Sequence, residues 1–314
     1  MVIYTKFNHA RRKAFRLVTT IEKEGDTFYL YKKSISKKSD RFLLSLIDKY
    51  KRLNKYKLPF KVIEPTQTKK GIRFDYLEGK SFDGLLFESI LTGNKESIKK
   101  VFLDYKDLVS KIPLSNFFAT KEFEKYFGKT GKTKEECICI GCIDLILENI
   151  FIGKNRDFML IDYEWTFSSP VPFKYILFRS VTNAYCKYSS YNIGKILPVK
   201  EIFDMFNISP KEEKQFLRYE YKFQSFANID EAMVDFKLYL KNYKQLGKNN
   251  TVTFFDQKQQ EITMLIKKVE QKDETIRLLN KTLLERNNEI VLMRSSRAWK
   301  IRNIVVRIKR KILT

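Results

Sequence analysis

The chain has 314 residues, 43% of them hydrophobic, and a formal net charge of +24. That length and apolar content exclude a disordered polymer and a minimal domain, and they suit a two-lobed domain with an extension. The charge calls either for an anionic partner (lipid headgroups, nucleic acid or an anionic substrate) or for solvated lysine faces, so its distribution has to decide.

Near the N-terminus, FRLVTTIEKEGDTFYLYKK reads as two strands around the turn Glu24-Gly25-Asp26. Alternation puts Phe28, Leu30 and Lys32 on one face of the second strand and Tyr29, Tyr31 and Lys33 on the other. A helix follows over roughly 38–54, where Phe42, Leu43, Leu46, Ile47, Tyr50 and Leu53 recur at helical spacing. FKVIEP and GIRFDYLEG are two further strands. From Ser81 the pattern turns helical, in FDGLLFESIL and ESIKKVFLDYKDLVSKI. Ser209-Pro210-Lys211-Glu212 is a capping box with proline at the first helical position, so a helix starts there. The expected fold class is α+β and bilobal, with a β-rich lobe over 1–80 and a helical lobe over 81–250.

Three of the four cysteines, Cys137, Cys139 and Cys142, cluster in ECICIGCID, which argues against a disulfide framework. A metal there needs a fourth ligand from Cys186 or His9, and small buried thiols are the simpler expectation. The segment MVIYTKFNHARRKAF has no long apolar stretch of the secretory kind, and no run reaches the ~18 apolar residues of a membrane span, so a cytoplasmic location is expected.

The block GCIDLILENIFIGKNRDFMLIDYEW carries the chemistry. Asn149 precedes the strand Ile150–Ile152, Gly153 to Asp157 form a turn, and Asp162 follows the return strand Phe158–Ile161. Antiparallel pairing then sets Asn149 beside Asp162, with Asp144 on the loop that enters the hairpin. Two carboxylates and an amide oxygen at one hairpin end are hard donors that suit Mg²⁺ holding phosphates.

This block resembles the protein-kinase-like superfamily, in particular its aminoglycoside phosphotransferase and choline kinase branches. The matching residues are the D-x-x-x-x-N loop Asp144 to Asn149, the hairpin, and Leu160-Ile161-Asp162-Tyr163-Glu164-Trp165, over roughly residues 10–245. The resemblance implies ATP and Mg²⁺ as cofactors, Asp144 as the base that takes the acceptor hydroxyl's proton, and Asn149 and Asp162 as metal ligands. It implies Lys32 of FYLYKK on the α/β-phosphates, with Lys33 as the fallback, and Asp40 or Asp48 of the following helix orienting that lysine. The segment around Asp75, Tyr76 and Leu77 would meet adenine. The sequence departs from the pattern in three places: Cys142 replaces the usual histidine, Asp replaces the usual Glu as the lysine's partner, and the phosphate-covering loop near Asn8 to Ala14 lacks glycine but carries His9-Ala10-Arg11-Arg12-Lys13.

Beyond a break near residues 246–250, Ile262, Val269, Ile276, Leu283 and Ile290 recur every seven residues, followed three positions later by Leu265, Lys272, Leu279, Arg286 and Met293. This predicts a coiled coil over 255–293 and a homo-oligomer, dimer or trimer, weakened by the seam charges. After it, Arg294, Arg297, Lys300, Arg302, Arg307, Lys309, Arg310 and Lys311 surround Trp299 and an isoleucine/valine face, with no acidic residue. A basic amphipathic helix over 294–314 predicts an anionic membrane surface as partner, on the inner face of the membrane, and no nucleic acid. Kinase, coiled coil and basic tail together resemble the chain-terminating kinases of bacterial O-antigen and surface-polysaccharide clusters. The expected function is phosphorylation of a hydroxyl of a surface glycan or small acceptor. The alternative is a membrane-tethered pseudokinase that scaffolds glycosyltransferases.

Overall fold

The N-terminal strands form a sheet against which a helix packs. The structure is a computed structural model, and it describes residues 1–230 apart from 117, 131–135 and 154–156. The chain divides into two compact units, Met1–Thr251 and Val252–Thr314. The heptad segment 255–293 and the basic tail 294–314 lie outside the described residues.

Strands β1 (Val2–Phe7), β2 (Leu17–Glu24) and β3 (Thr27–Ser34) are followed by helix α1 (Lys37–Leu53), then β4 (Lys61–Val62), β5 (Thr66–Thr68) and β6 (Gly71–Asp75). Five of these strands form one antiparallel sheet in the order β1-β2-β3-β6-β5. The β2–β3 turn falls at Glu24↔Thr27 around Gly25, whose φ of 61° is left-handed. Helix α1 starts at a capping box between Ser36 and Ser39 and buries Leu43, Leu46 and Leu53. Strand β1 is exposed along nearly its whole length and pairs with β2 alone.

After β7 (Lys80–Ser81) come α2 (Phe82–Leu91), α3 (Lys95–Ser110), β8 (Leu114–Asn116), α4 (Lys121–Phe127), β9 (Glu136–Ile138) and β10 (Gly141–Cys142). The hairpin β11 (Ile150–Ile152) and β12 (Phe158–Leu160) leads to β13 (Thr166–Phe167), β14 (Val171–Pro172), α5 (Phe173–Lys187), α6 (Ile193–Ile196), α7 (Val199–Met205) and α8 (Pro210–Ala227). Helix α8 begins at the Ser209/Glu212 capping box. The whole is a mixed α+β fold.

The hairpin is the centre of a second sheet, β4-β12-β11-β7, so segments from both sides of the cleft hold it. Gly79 makes this possible. Its φ is 148°, and a Cβ there would meet the Ile152 carbonyl at 2.8 Å. Around Trp165, the rings of Phe15, Phe42, Phe223 and Phe226 pack at 5.0–6.3 Å. That cluster ties the loop before β2, helix α1 and the end of α8 to the strand leaving the hairpin.

Candidate active site

The hairpin register is Ile150↔Leu160, Phe151↔Met159 and Ile152↔Phe158. It brings its two open ends together: Ile161 N–H donates to the Asn149 carbonyl at 2.9 Å. The Asn149 side-chain amide donates to the Asp144 carbonyl at 2.9 Å and the Asp162 carbonyl at 3.3 Å. With its Nδ2 so engaged, Asn149 makes no hydrogen bond through Oδ1 among the described residues, and that oxygen is available to a cation. Asp162 sits at φ 46°, in the left-handed region that aspartate and asparagine enter more readily than most residues, and it lines the cleft. Asn149 Oδ1 and Asp162 are hard oxygen donors, and this donor set fits Mg²⁺.

Asp144 is buried, 6% exposed, and accepts the Trp165 N–H at 2.6 Å. Its loop is pinned on every side. Tyr105 Oη donates to the Leu145 carbonyl, Leu147 N–H donates to Ser180 Oγ at 3.1 Å, and Arg179 Nε donates to the Ile143 carbonyl at 3.1 Å. Arg179 is itself held in a buried ion pair with Glu220. Burial and the charge of Asp162 raise the Asp144 carboxyl to about 7, against the opposing pull of Arg179 and the Trp165 N–H.

Lys32 projects from β3 into the same cleft and is 5% exposed. Gly71 lets β6 pass this close, because a Cβ there would overlap the Lys32 carbonyl. The lysine donates to Asp162 Oδ1 at 2.8 Å and to Glu164. Burial works against its charge, and Asp162 and Glu164 outweigh burial and hold its pKa above the usual lysine value. Lys33, one face away, pairs with Glu22 on the outer side of the sheet and does not line the cleft.

The expected partners Asp40 and Asp48 do not orient Lys32. Asp40 lies exposed in the first turn of α1 and accepts from Ser34 Oγ, and Asp48 is exposed. The face of α1 turned toward the site carries Lys49 instead, which donates to the Glu164 carbonyl and lies over the Phe42 ring at 4.5 Å. Burial brings the Lys49 ammonium down to about 8. An acid on α1 is replaced by Glu164, two residues beyond Asp162. Burial alone would raise the Glu164 carboxyl, yet Lys32 and Arg11 together bring it to about 2.

Arg11, from the loop between β1 and β2, closes the network by pairing with Glu164. Its neighbour Arg12 points elsewhere and donates to the carbonyls of Asn228 at 2.9 Å and Ser225 at 3.0 Å. Backbone bonds from Arg12 N–H to Ala227 and from Ile229 N–H to Ala10 fasten the loop to the end of α8. Asp75, Tyr76 and Leu77 line the outer end of the cleft, which encloses about 820 Å³. Among the described residues no group of three or more His, Cys, Asp or Glu side chains is placed to hold a metal ion, and Cys137 and Cys142 are buried thiols.

Sequence reasoning missed Glu164, Lys49 and Arg179. Glu164 was within reach, since it stands two residues from Asp162 in the same motif. The other two have no local signal: the Arg179–Glu220 pair joins residues 41 positions apart.

No family model matches the chain, and no curated protein matches it. Among solved structures the chain is similar to a macrolide 2'-phosphotransferase type I, at 8% identity, covering 74% of this chain and 89% of that one with a TM-score of 0.36. It is also similar to the macrolide 2'-phosphotransferase of Brachybacterium faecium, at 8% identity, 78% and 92% coverage and a TM-score of 0.34. A third similarity is to an ethanolamine kinase of Plasmodium vivax, at 11% identity, 78% and 77% coverage and a TM-score of 0.30. These superpositions are loose, and the functional reading rests on the side chains of this chain.

Proposed function

We propose that the chain is an ATP- and Mg²⁺-dependent phosphotransferase that moves a phosphoryl group onto an acceptor hydroxyl. The observation that carries it is the convergence of Asn149 Oδ1, the Asp162 carboxylate and the Lys32 ammonium at one end of the cleft, with Asp144 on the adjoining loop. Mg²⁺ held by Asn149 and Asp162 would neutralise phosphate charge and align the γ-phosphoryl group. Lys32 and Arg11 bind the phosphate oxygens. Asp144 receives the hydroxyl proton, and a base raised toward neutrality is suited to that. Asp75 to Leu77 present backbone to the adenine. The acceptor in this reading is a surface glycan or a small hydroxyl compound. The 255–293 coiled coil assembles the enzyme, and Arg294, Arg297, Trp299, Lys300, Arg302, Arg307, Lys309, Arg310 and Lys311 hold it at the inner face of the membrane.

The second reading is a nucleotide-binding scaffold without turnover. It is favoured by the phosphate-side loop, which the Ala10–Ile229 and Arg12–Ala227 bonds fasten in place. Thermal shift with ATP, with and without Mg²⁺, followed by ATP turnover with candidate glycans, separates the two. Asp162→Asn should abolish the Mg²⁺-dependent stabilisation by ATP, whereas Asp144→Asn should keep it and lose transfer. Metal-dependent ATP binding without turnover on any acceptor would select the scaffold, and equal shifts for wild type and Asp162→Asn would remove the metal role.

A further inference from the structure

A second cavity, of about 500 Å³, adjoins the nucleotide cleft. Asn149 and Asp162 line both spaces, as do Lys187 and its partners Asp83 and Glu148, whereas Asp144 lines the second alone. The second cavity thus reaches the proposed base, with Asn149 and Asp162 on its border with the nucleotide cleft. This volume falls in the range of roughly 300–1,000 Å³ usual for small-molecule sites.

The wall of this cavity is distinctive in its charge. Its two carboxylates outside the catalytic set, Asp83 and Glu148, are both taken by Lys187, at 2.7 Å and 3.1 Å. Tyr188 Oη also donates to Asp83, at 2.8 Å. Burial lowers the Lys187 pKa, but Asp83 and Glu148 outweigh that and leave it raised. Lys6, on the same wall, has no hydrogen-bond or ion-pair partner among the described residues. The Asn183 amide makes no hydrogen bond among the described residues, and Asn8 uses its Oδ1 on the Ala10 N–H, which leaves its amino group free. Of the other two carboxylates in the lining, Asp162 is held by Lys32, and Asp144 has no ion-pair partner among the described residues, so the cavity offers amides, cations and the proposed base to a guest.

The bridge to Glu148 joins side chains 46% and 50% exposed, and bridges of that kind contribute roughly 0–1 kcal/mol. The bridge to Asp83 also compensates a buried carboxylate. Beyond that structural part, the lysine occupies the corner where an ammonium group would otherwise settle between two carboxylates.

We propose that Lys187 sets the charge of the acceptor: by filling the Asp83/Glu148 corner it admits hydroxyl compounds without an ammonium group and excludes amines. The proposal rests on the phosphotransferase reading for the name "acceptor", but its test needs neither nucleotide nor turnover. The full-length chain is titrated at neutral pH with methyl glucoside and with methyl glucosaminide, and affinities are read by saturation-transfer NMR. Wild type is expected to bind the neutral glycoside about tenfold more tightly, the effect of about 1.4 kcal/mol of charge repulsion. Lys187→Gln should remove or reverse that preference, while Lys187→Arg, which keeps the cation, should retain it. A wild type that binds the amino sugar equally well or better would overturn the proposal, as would an unchanged preference in Lys187→Gln or no binding of either compound. Failure of the phosphotransferase reading shows separately, as absence of ATP binding in a protein that still ranks the two glycosides.

Discussion

Lys32 and Lys33 are neighbours on one strand, and they belong to two different electrostatic worlds. Lys32 faces inward, where Asp162 and Glu164 receive it at 5% exposure. Lys33 faces outward and joins Glu22, which Lys70 and Thr20 also contact. Both clusters hold a carboxyl at about 2, but for different reasons. At Glu22 the Lys33 hydrogen bond is the main cause, whereas at Glu164 two cations have to overcome burial first. The outer cluster is closed upon itself. The inner one leaves an amide oxygen and part of a carboxylate facing a cleft, which is the mark of a site awaiting a charged guest.

The largest contrast should appear in nucleotide binding. Lys32→Met is expected to remove the thermal stabilisation given by ATP with Mg²⁺, a loss of about 100-fold or more in affinity for one buried charge-assisted contact. Lys33→Met should leave the stabilisation as in wild type. Equal loss in both variants would mean that the strand's facing does not decide the function.

Next in size is stability. Glu164→Ala strips the buried Lys32 and the part-buried Arg11 of a shared partner, and breaking such a network costs about 3–5 kcal/mol. Glu22→Ala should cost about 1 kcal/mol, because Lys33 and Lys70 can turn to water. Urea denaturation of the two variants reads the difference directly. A Glu22→Ala chain as unstable as Glu164→Ala would show that the outer cluster is buried in more than position.

The same contrast explains what the sequence disclosed. The β2–β3 hairpin, α1, the start of α8 and the Asn149/Asp162 juxtaposition follow from local signals: alternation, helical spacing, a capping box, a hairpin register. Strand β1 escaped because it is an edge strand exposed on both faces, so VIYTKF has no inward and outward alternation to read. The partner of Lys32 escaped for another reason. A helix can deliver any of several residues to a site, and the spacing of Asp40, Asp48 and Lys49 along α1 does not reveal which one faces the sheet until the packing of Leu43 and Leu46 fixes the rotation. Glu164 then takes the role because residues 162 and 164 emerge on the same side of an extended segment. Arg179 lies on a helix far along the chain, and its support of the Asp144 loop is purely tertiary.

The smallest effect, and the one that tests the balance of the inner cluster, is the pH dependence of the chain without nucleotide or metal. Glu164 and Glu22 have folded pKa values of about 2, below their ordinary 4.5. Their contribution is therefore complete above the unfolded value and is lost as pH falls from about 4.5 toward 2. Asp144 runs the opposite way. Its folded value of about 7 lies above the ordinary 3.8, so the folded state binds its proton more readily than the unfolded chain does. Stability should then rise as pH falls from about 8 to 5, and drop again below about 4.5, giving a maximum near pH 5. Asp144→Asn removes the charge that burial penalises and keeps the shape. It should flatten the alkaline limb and raise the melting temperature at pH 8 by on the order of 3 °C, with little change at pH 5. A variant that melts lower than wild type at pH 8 would mean that the Trp165 N–H and Arg179 stabilise the carboxylate by more than its burial and the neighbouring Asp162 oppose it, and Asp144 would then lack the raised basicity assigned to it.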